Sequence, residues 1–332
     1  MRSPCDVIQH STAPPGTRRI CVAIVSHVLN APVRAMFERV RREAPEDHDV
    51  WMILSTDDPA APIAWLNEKD VVRISKADIF RPGYPQKCRE QGWTMAGNLD
   101  LVFLEFKRRL PNYSHYWFVE YDVHWEGIWS VLFEYFRHSK AALLAATLQH
   151  TDEVPHKLDQ LNDPQLVIPT DALLERANII KAFLPLCRIS HELLTALDAA
   201  YRKGLGGHYE FLVPSVAVQN GRTIEDFGGR GRYVKPENVD RFYFARGSAY
   251  THSPGTFVFR PEQHVLARSN TLWHPVKPGG VPLWHPLRFK GSPLKTFEES
   301  VKPWIWRAVI WLWFATRWRP LKVEAAAERP RL

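Results

Sequence analysis

Residues 115–125 read His-Tyr-Trp-Phe-Val-Glu-Tyr-Asp-Val-His-Trp, an apolar aromatic run that gives way at once to two carboxylates spaced i, i+2. In an extended chain, residues two apart point to the same side, so Glu120 and Asp122 can converge on one cation. Open α/β sheets place their ligands outside the carboxyl ends of their strands, where this pair would stand. Two hard oxygen donors with open positions suit Mg2+ or Mn2+ shared with the phosphates of a substrate. Unpaired charges at a buried edge are costly, and His124 and Glu126 add further donors nearby. The competing reading of any bare Glu-x-Asp is a turn cap or an arginine partner.

Such a pair needs a strand to carry it and other strands beside it. Arg19 to Ser26 is a continuous apolar run, as expected of a strand buried on both faces. Asn30 is placed to cap a helix with Pro32 in its first turn and Val33, Met36, Phe37 and Val40 along one side. Val50 to Leu54 and Val71 to Ile74 read as further strands. Arg81-Pro82-Gly83-Tyr84-Pro85 reads as a loop. Leu99, Val102, Phe103, Phe106 and Leu110 mark the inner face of a helix just before the acidic strand end.

Farther on, Ala141 to Leu148 is expected as a strand and His150 to Pro169 as a loop. A helix capped by Ser190 should run to about Lys203, with Leu193, Leu194, Leu197 and Tyr201 inward and Gly204 at its end. Phe211 to Val218 is expected as a strand and Asn220-Gly221 as a turn. The glycine pair Gly206-Gly207 would then deliver His208 and Glu210 to a strand start, two apart and facing one way. The expected fold is α/β: a Rossmann-like, mostly parallel sheet flanked by helices, with an irregular C-terminal part. One domain over residues 18–290 would follow a flexible segment over 1–17 and precede a Trp-rich amphipathic helix and basic tail over 291–332.

Here the residues resemble a family. The βα-rich first half ending in Phe118-Val119-Glu120-Tyr121-Asp122 resembles the nucleotide-sugar-binding half of a GT-A-fold glycosyltransferase, and the likeness extends over residues 18–275. In that family an Asp-x-Asp motif binds Mn2+ or Mg2+, and the metal bridges the diphosphate of the donor. This chain departs from the motif by having Glu in its first position. The resemblance implies that Asp122 is a direct metal ligand and that Glu120 reaches the metal through water or holds the ribose. It implies an imidazole ligand from late in the chain, His274 in Leu272-Trp273-His274-Pro275, with His285 in a similar setting as the alternative. Lys277 would meet the diphosphate as a point charge. Ser26, His27, Asp57 and Asp58, on the loops after the first two strands, would lie beside the nucleotide. Asn98 and Asp100 would approach the sugar or phosphate. Glu210 would be the base that removes the proton of the acceptor hydroxyl, with His208 orienting the acceptor and Glu225 and Asp226 as rival carboxylates.

The bulk properties bound these readings. With 332 residues, 45% of them hydrophobic, the chain has enough apolar mass for a large core. Its 43 basic and 36 acidic residues leave a formal charge of +7, compatible with phosphate-bearing ligands or an anionic membrane face. No basic stripe interleaved with aromatics points to nucleic acid. The four cysteines are scattered and form no CxxC pair, which fits a reducing, cytoplasmic compartment. Residues 301–319 concentrate Trp304, Trp306, Trp311, Trp313 and Trp318 between basic residues but fall short of the ~20 apolar residues of a spanning helix. That segment would lie in a membrane interface, at the inner face, or pack on the domain or a partner.

No GxGxxG, Walker A or GxSxG sequence is present, so a cation rather than a glycine cradle would hold phosphate. The expected activity is metal-dependent hexosyl transfer from a nucleotide diphosphate donor to a glycan or lipid-linked acceptor. The alternatives are a nucleotidyltransferase on the same sheet and a non-catalytic, membrane-associated binding protein.

Overall fold

A computed structural model of the chain describes residues 19–58, 60, 63, 65–87, 97–150, 174–244, 255–257 and 269–276. Its centre is a sheet of seven strands: β1 (Ile20–Ser26), β2 (His48–Ser55), β3 (Val71–Ile74), β4 (His115–Glu120), β6 (Leu143–His150), β7 (Ile180–Ser190) and β8 (Ile224–Asp226). The spatial order is β3-β2-β1-β4-β7-β6-β8. Pairs β1–β2, β2–β3, β1–β4 and β6–β8 are parallel, and β7 runs antiparallel to both of its neighbours. The sheet is therefore mostly parallel and flanked by helices, as the alternating pattern of the first half implies. Strands β5 (His124–Trp125) and β9 (Leu272–Trp273) form a separate antiparallel clip.

Helices cover both faces because β4 is apolar on both. Tyr116 and Phe118 point into one core with α3 (Leu99–Arg109), α5 (His191–Arg202) and α6 (Tyr209–Gln219). Trp117 and Val119 point into the other, with α1 (Ala31–Glu43) and α4 (Trp129–Tyr135). Phe118 stacks on Phe103 at 3.9 Å between centroids, and Trp117 meets Phe133 at 5.1 Å. Each such ring removed from water contributes about 1.5–3 kcal/mol. The helix ends follow the local chemistry. Asn30 accepts from the Val33 amide at 3.1 Å to start α1, and Ser190 accepts from Leu193 at 3.1 Å to start α5. The short α2 (Lys76–Phe80) opens with a reciprocal cap between Ser75 and Asp78.

Two expectations are corrected. Residues 211–218 are not a strand but lie within α6. This apolar run is buried all round, so it lacks the one-sided period that identifies a surface helix, and Pro214 inside it disguises it further. Asn220-Gly221 is accordingly the end of that helix rather than a hairpin, with Gly221 at φ 65°. Strand β7, helix α4 and the β5–β9 clip were not anticipated. The expected loop over 150–169 and the Trp-rich helix over 291–332 fall mainly or wholly outside the described residues. Among those that are described, no helix is long and apolar enough to cross a membrane.

Candidate functional site

The strand order reverses between β1 and β4, since β2 and β3 lie on one side of β1 and β4 on the other. Loops leaving the carboxyl ends of β1 and β4 therefore diverge and open a crevice, where sheets of this kind bind ligands. The loop after β1 carries Ser26 and His27. The Ser26 hydroxyl donates to the Val28 carbonyl at 2.6 Å and accepts from the Val28 amide, closing a tight turn. That turn holds the exposed His27 edge-on to Tyr121, with ring centroids 5.2 Å apart. His27 thus stands beside the Glu-Tyr-Asp segment.

Glu120 is the last residue of β4, and Asp122 follows in a turn closed by the Val123 amide donating to the Glu120 carbonyl at 3.0 Å. The chain then enters β5, which pairs His124 with Trp273 and Trp125 with Leu272 of β9. This clip, with the Val276 amide donating to the Asp122 carbonyl at 2.8 Å, delivers His274 to the acidic strand end. Ligand atoms of Glu120, Asp122 and His274 lie within 4.8 Å of one another, and no other group of His, Cys, Asp or Glu among the described residues converges in this way. His274 Nε2 stands 3.5 Å from Asp122 Oδ1. The His274 ring is wedged against Phe183 of β7 (5.2 Å) and Phe257 (5.6 Å), so packing fixes its direction. Asp122 and His274 are buried, each with about a twentieth of its surface exposed, and Glu120 is half-buried.

Two carboxylates and an imidazole are the donor set of a borderline-hard divalent cation, so the residues fit the Mn2+ or Mg2+ expected there.

The start of α6 is the next nearest chemistry. His208 is the N-cap, its Nδ1 accepting from the Glu210 amide at 3.3 Å, and the Glu210 carboxylate lies 3.9 Å from the same nitrogen. These residues stand at a helix entrance, not on a strand, where the partial positive charge of the helix end favours an anion. Between them, burial pushes the Tyr209 phenol well above its ordinary range, and the charges of Glu120 and Glu210 add to that rise.

Other sequence candidates are committed elsewhere. Asp100 is fully buried and pairs with Lys87 at 3.0 Å while accepting from the Tyr201 hydroxyl, so it braces α3 against α5 and is not presented to a ligand. Asn98 is the residue before α3 and makes no side-chain cap to it. The Asp57 carboxylate accepts from the Lys76 amide at 2.7 Å, and the exposed Asp58 accepts from the Ala60 amide at 2.8 Å; both stand on the loop after β2. Glu225 accepts from Ser139 at 2.7 Å and pairs with Lys235 at 3.0 Å. Asp226, fully buried, accepts from the amides of Leu148 (2.9 Å) and Gly228 (3.0 Å) and from the Tyr243 hydroxyl (2.8 Å). Burial pushes its carboxyl up to about 7, against those bonds. Lys277 and His285 lie outside the described residues. The sequence reading missed the aromatic brackets of His274; Phe183 and Phe257 carry no signal beyond being apolar.

Neither the family models nor the curated proteins compared with the sequence match it. Among solved structures the chain is similar to mouse xyloside xylosyltransferase 1 in its apo form, at 10% identity over 66% of this chain and 89% of that one, with a TM-score of 0.37. It is similar to the mannosyltransferase Ktr4p of S. cerevisiae at 12% identity over 64% and 68% of the two chains, TM-score 0.36. A third likeness is to core-mannan synthase A (CmsA/Ktr4) of Aspergillus fumigatus in its Mn/GDP form, at 13% identity over 66% and 74%, TM-score 0.33. Likeness at this level does not carry an activity from one chain to another, which must come from the site.

Proposed function

We propose that the protein is a divalent-cation-dependent glycosyltransferase that moves a hexosyl group from a nucleoside diphosphate donor to a hydroxyl acceptor, in glycan or surface-polysaccharide synthesis. The observation that carries this reading is the convergence of Glu120, Asp122 and His274 at the carboxyl end of a central strand, beside the switch point of the sheet. Asp122 and His274 would hold Mn2+ or Mg2+ directly, and Glu120 would complete the set or orient the ribose. When bound, the cation neutralises charge gathering on the diphosphate as it leaves.

The remaining work falls to side chains of this chain. Ser26 and His27 would border the nucleotide, His27 held by Tyr121. Glu210, at the α6 entrance, would accept the proton of the acceptor hydroxyl while that oxygen bonds to the anomeric carbon and the bond from that carbon to the diphosphate breaks. His208, the N-cap of α6, would orient the acceptor. Proton, electron pair and leaving group are then all accounted for.

The test is a thermal-shift panel of UDP- and GDP-linked hexoses with and without Mn2+, run on wild type and on Asp122→Ala. The expected result is stabilisation by one nucleotide class that requires the cation and is lost in the variant. Equal, cation-dependent stabilisation of both proteins by the same nucleotide would overturn the assignment. Stabilisation by nucleoside triphosphates instead would redirect it to nucleotidyl transfer.

A further inference from the structure

We infer that Lys87 is a positioning residue for the proposed base: it fastens the loop before α6 and so sets the direction in which the first turn of that helix presents Glu210. The inference rests on the transferase reading for its catalytic part but not for its structural part. Lys87 lies far from the cation ligands in sequence, yet its side chain is fully buried. Its ammonium donates to the Gly207 carbonyl at 3.0 Å, reaches toward the Gly97 carbonyl at 3.5 Å, and forms an ion pair with Asp100 at 3.0 Å. It also sits 5.2 Å from the centre of the Tyr201 ring. One buried charge thereby joins three places: the turn leading into α3, the inner face of α5, and the residue just before the His208 cap.

The backbone fits the same point. A Cβ on Gly206 would collide with the side chain of Gln86 and lie 3.1 Å from the Gln86 carbonyl oxygen, so the loop packs directly on the segment that carries Lys87. Gly207 adopts φ 130°, a conformation that side chains rarely accept, and leads straight into His208. Glu210 follows within the first turn of α6, three residues after Gly207. A buried ammonium shared between a carboxylate and a loop carbonyl is costly to maintain unless both partners are fixed. That cost is explicable where the loop must hold a base to a fraction of an ångström.

Removing the lysine would orphan Asp100, so the informative variant is Lys87→Met combined with Asp100→Asn, which removes both charges but leaves the Gly207 carbonyl without its ammonium. Three readouts are compared with wild type: the thermal midpoint, amide hydrogen exchange along residues 205–219, and Mn2+-dependent binding of UDP and GDP alongside hydrolysis of the hexose donor. The expected outcome has three parts. The midpoint stays within about 4 °C of wild type. Exchange becomes tenfold or more faster over residues 207–212, while the second half of α6 keeps its rate. Donor hydrolysis falls about 100-fold in kcat with nucleotide affinity unchanged. Unaltered exchange over residues 207–212, or turnover and nucleotide affinity falling in parallel, would overturn the assignment. Should the wild type hydrolyse no donor in the panel, the transferase reading fails, and the exchange data still decide whether Lys87 fixes the helix entrance.

Discussion

Two buried aspartates stand at the ends of strands in this sheet, and their surroundings differ in kind. Asp226, at the end of β8, is ringed by donors: two backbone amides and a phenol hydroxyl point at it. Asp122, just past the end of β4, faces other potential ligands, a second carboxylate and an imidazole nitrogen. Burial is nearly the same in both cases. Donors around an acid mean that the fold has already satisfied it and uses it as a strut. On the proposed reading, Asp122 belongs to a cluster whose oxygen and nitrogen atoms a cation would draw together. The kind of neighbour, more than the depth of burial, is what would separate a structural carboxylate from a ligand-binding one.

That contrast can be broken experimentally, and the largest effect should come from the cation cluster. Asp122→Ala is expected to weaken Mn2+-dependent nucleotide binding at least 100-fold by calorimetry, with little change in melting temperature. Asp226→Ala should do the opposite. It strips acceptors from Leu148, Gly228 and Tyr243, costing about 3 kcal/mol, or roughly 4–6 °C in the midpoint, and leaves nucleotide affinity intact. If the two variants behave alike, the distinction between strut and ligand is wrong. His274→Ala should be intermediate, weakening cation affinity about tenfold and lowering the midpoint by a few degrees as Phe183 and Phe257 lose a partner.

A separate effect is a pH dependence. Asp226 has its carboxyl raised from an ordinary 3.8 to about 7 by burial. Between these values the unfolded chain ionises while the folded one keeps its proton, so stability contributed by the neutral acid is full below about pH 4 and is lost as pH rises toward 7. The loss approaches about 1.4 kcal/mol per pH unit within that window. Melting curves from pH 4 to 7 should show the slope in wild type, and Asp226→Asn should flatten it. A slope unchanged in that variant would assign the effect to another group.

The first half of the molecule was legible because its signals are local. Each strand from β1 to β4 is an apolar run ended by turn residues, and the helices between them carry one-sided periods and caps. The acidic strand end was legible for the same reason, as was the candidacy of His274. The second half hides its elements behind tertiary context. Strand β7 holds Pro185, Lys181 and Arg188 within a fully buried run, and Arg188 is tolerated only because carbonyls of Phe136 and Ser139 receive it at 2.7 Å. In α6 the apolar residues surround the helix, so no period survives to distinguish it from a strand. The strands of the clip are two residues long and carry no pattern at all. Asp100 was misjudged because its partners, Lys87 and Tyr201, approach from other parts of the chain.

The β5–β9 clip has a consequence for biosynthesis. Its two strands, His124–Trp125 and Leu272–Trp273, lie far apart in sequence, so the sheet can form from a growing chain well before His274 has been made. A ribosome-bound intermediate ending near residue 244 would carry Glu120 and Asp122 but lack the imidazole opposite them. On the proposed reading, the cation cluster would be completed only after the sheet has formed.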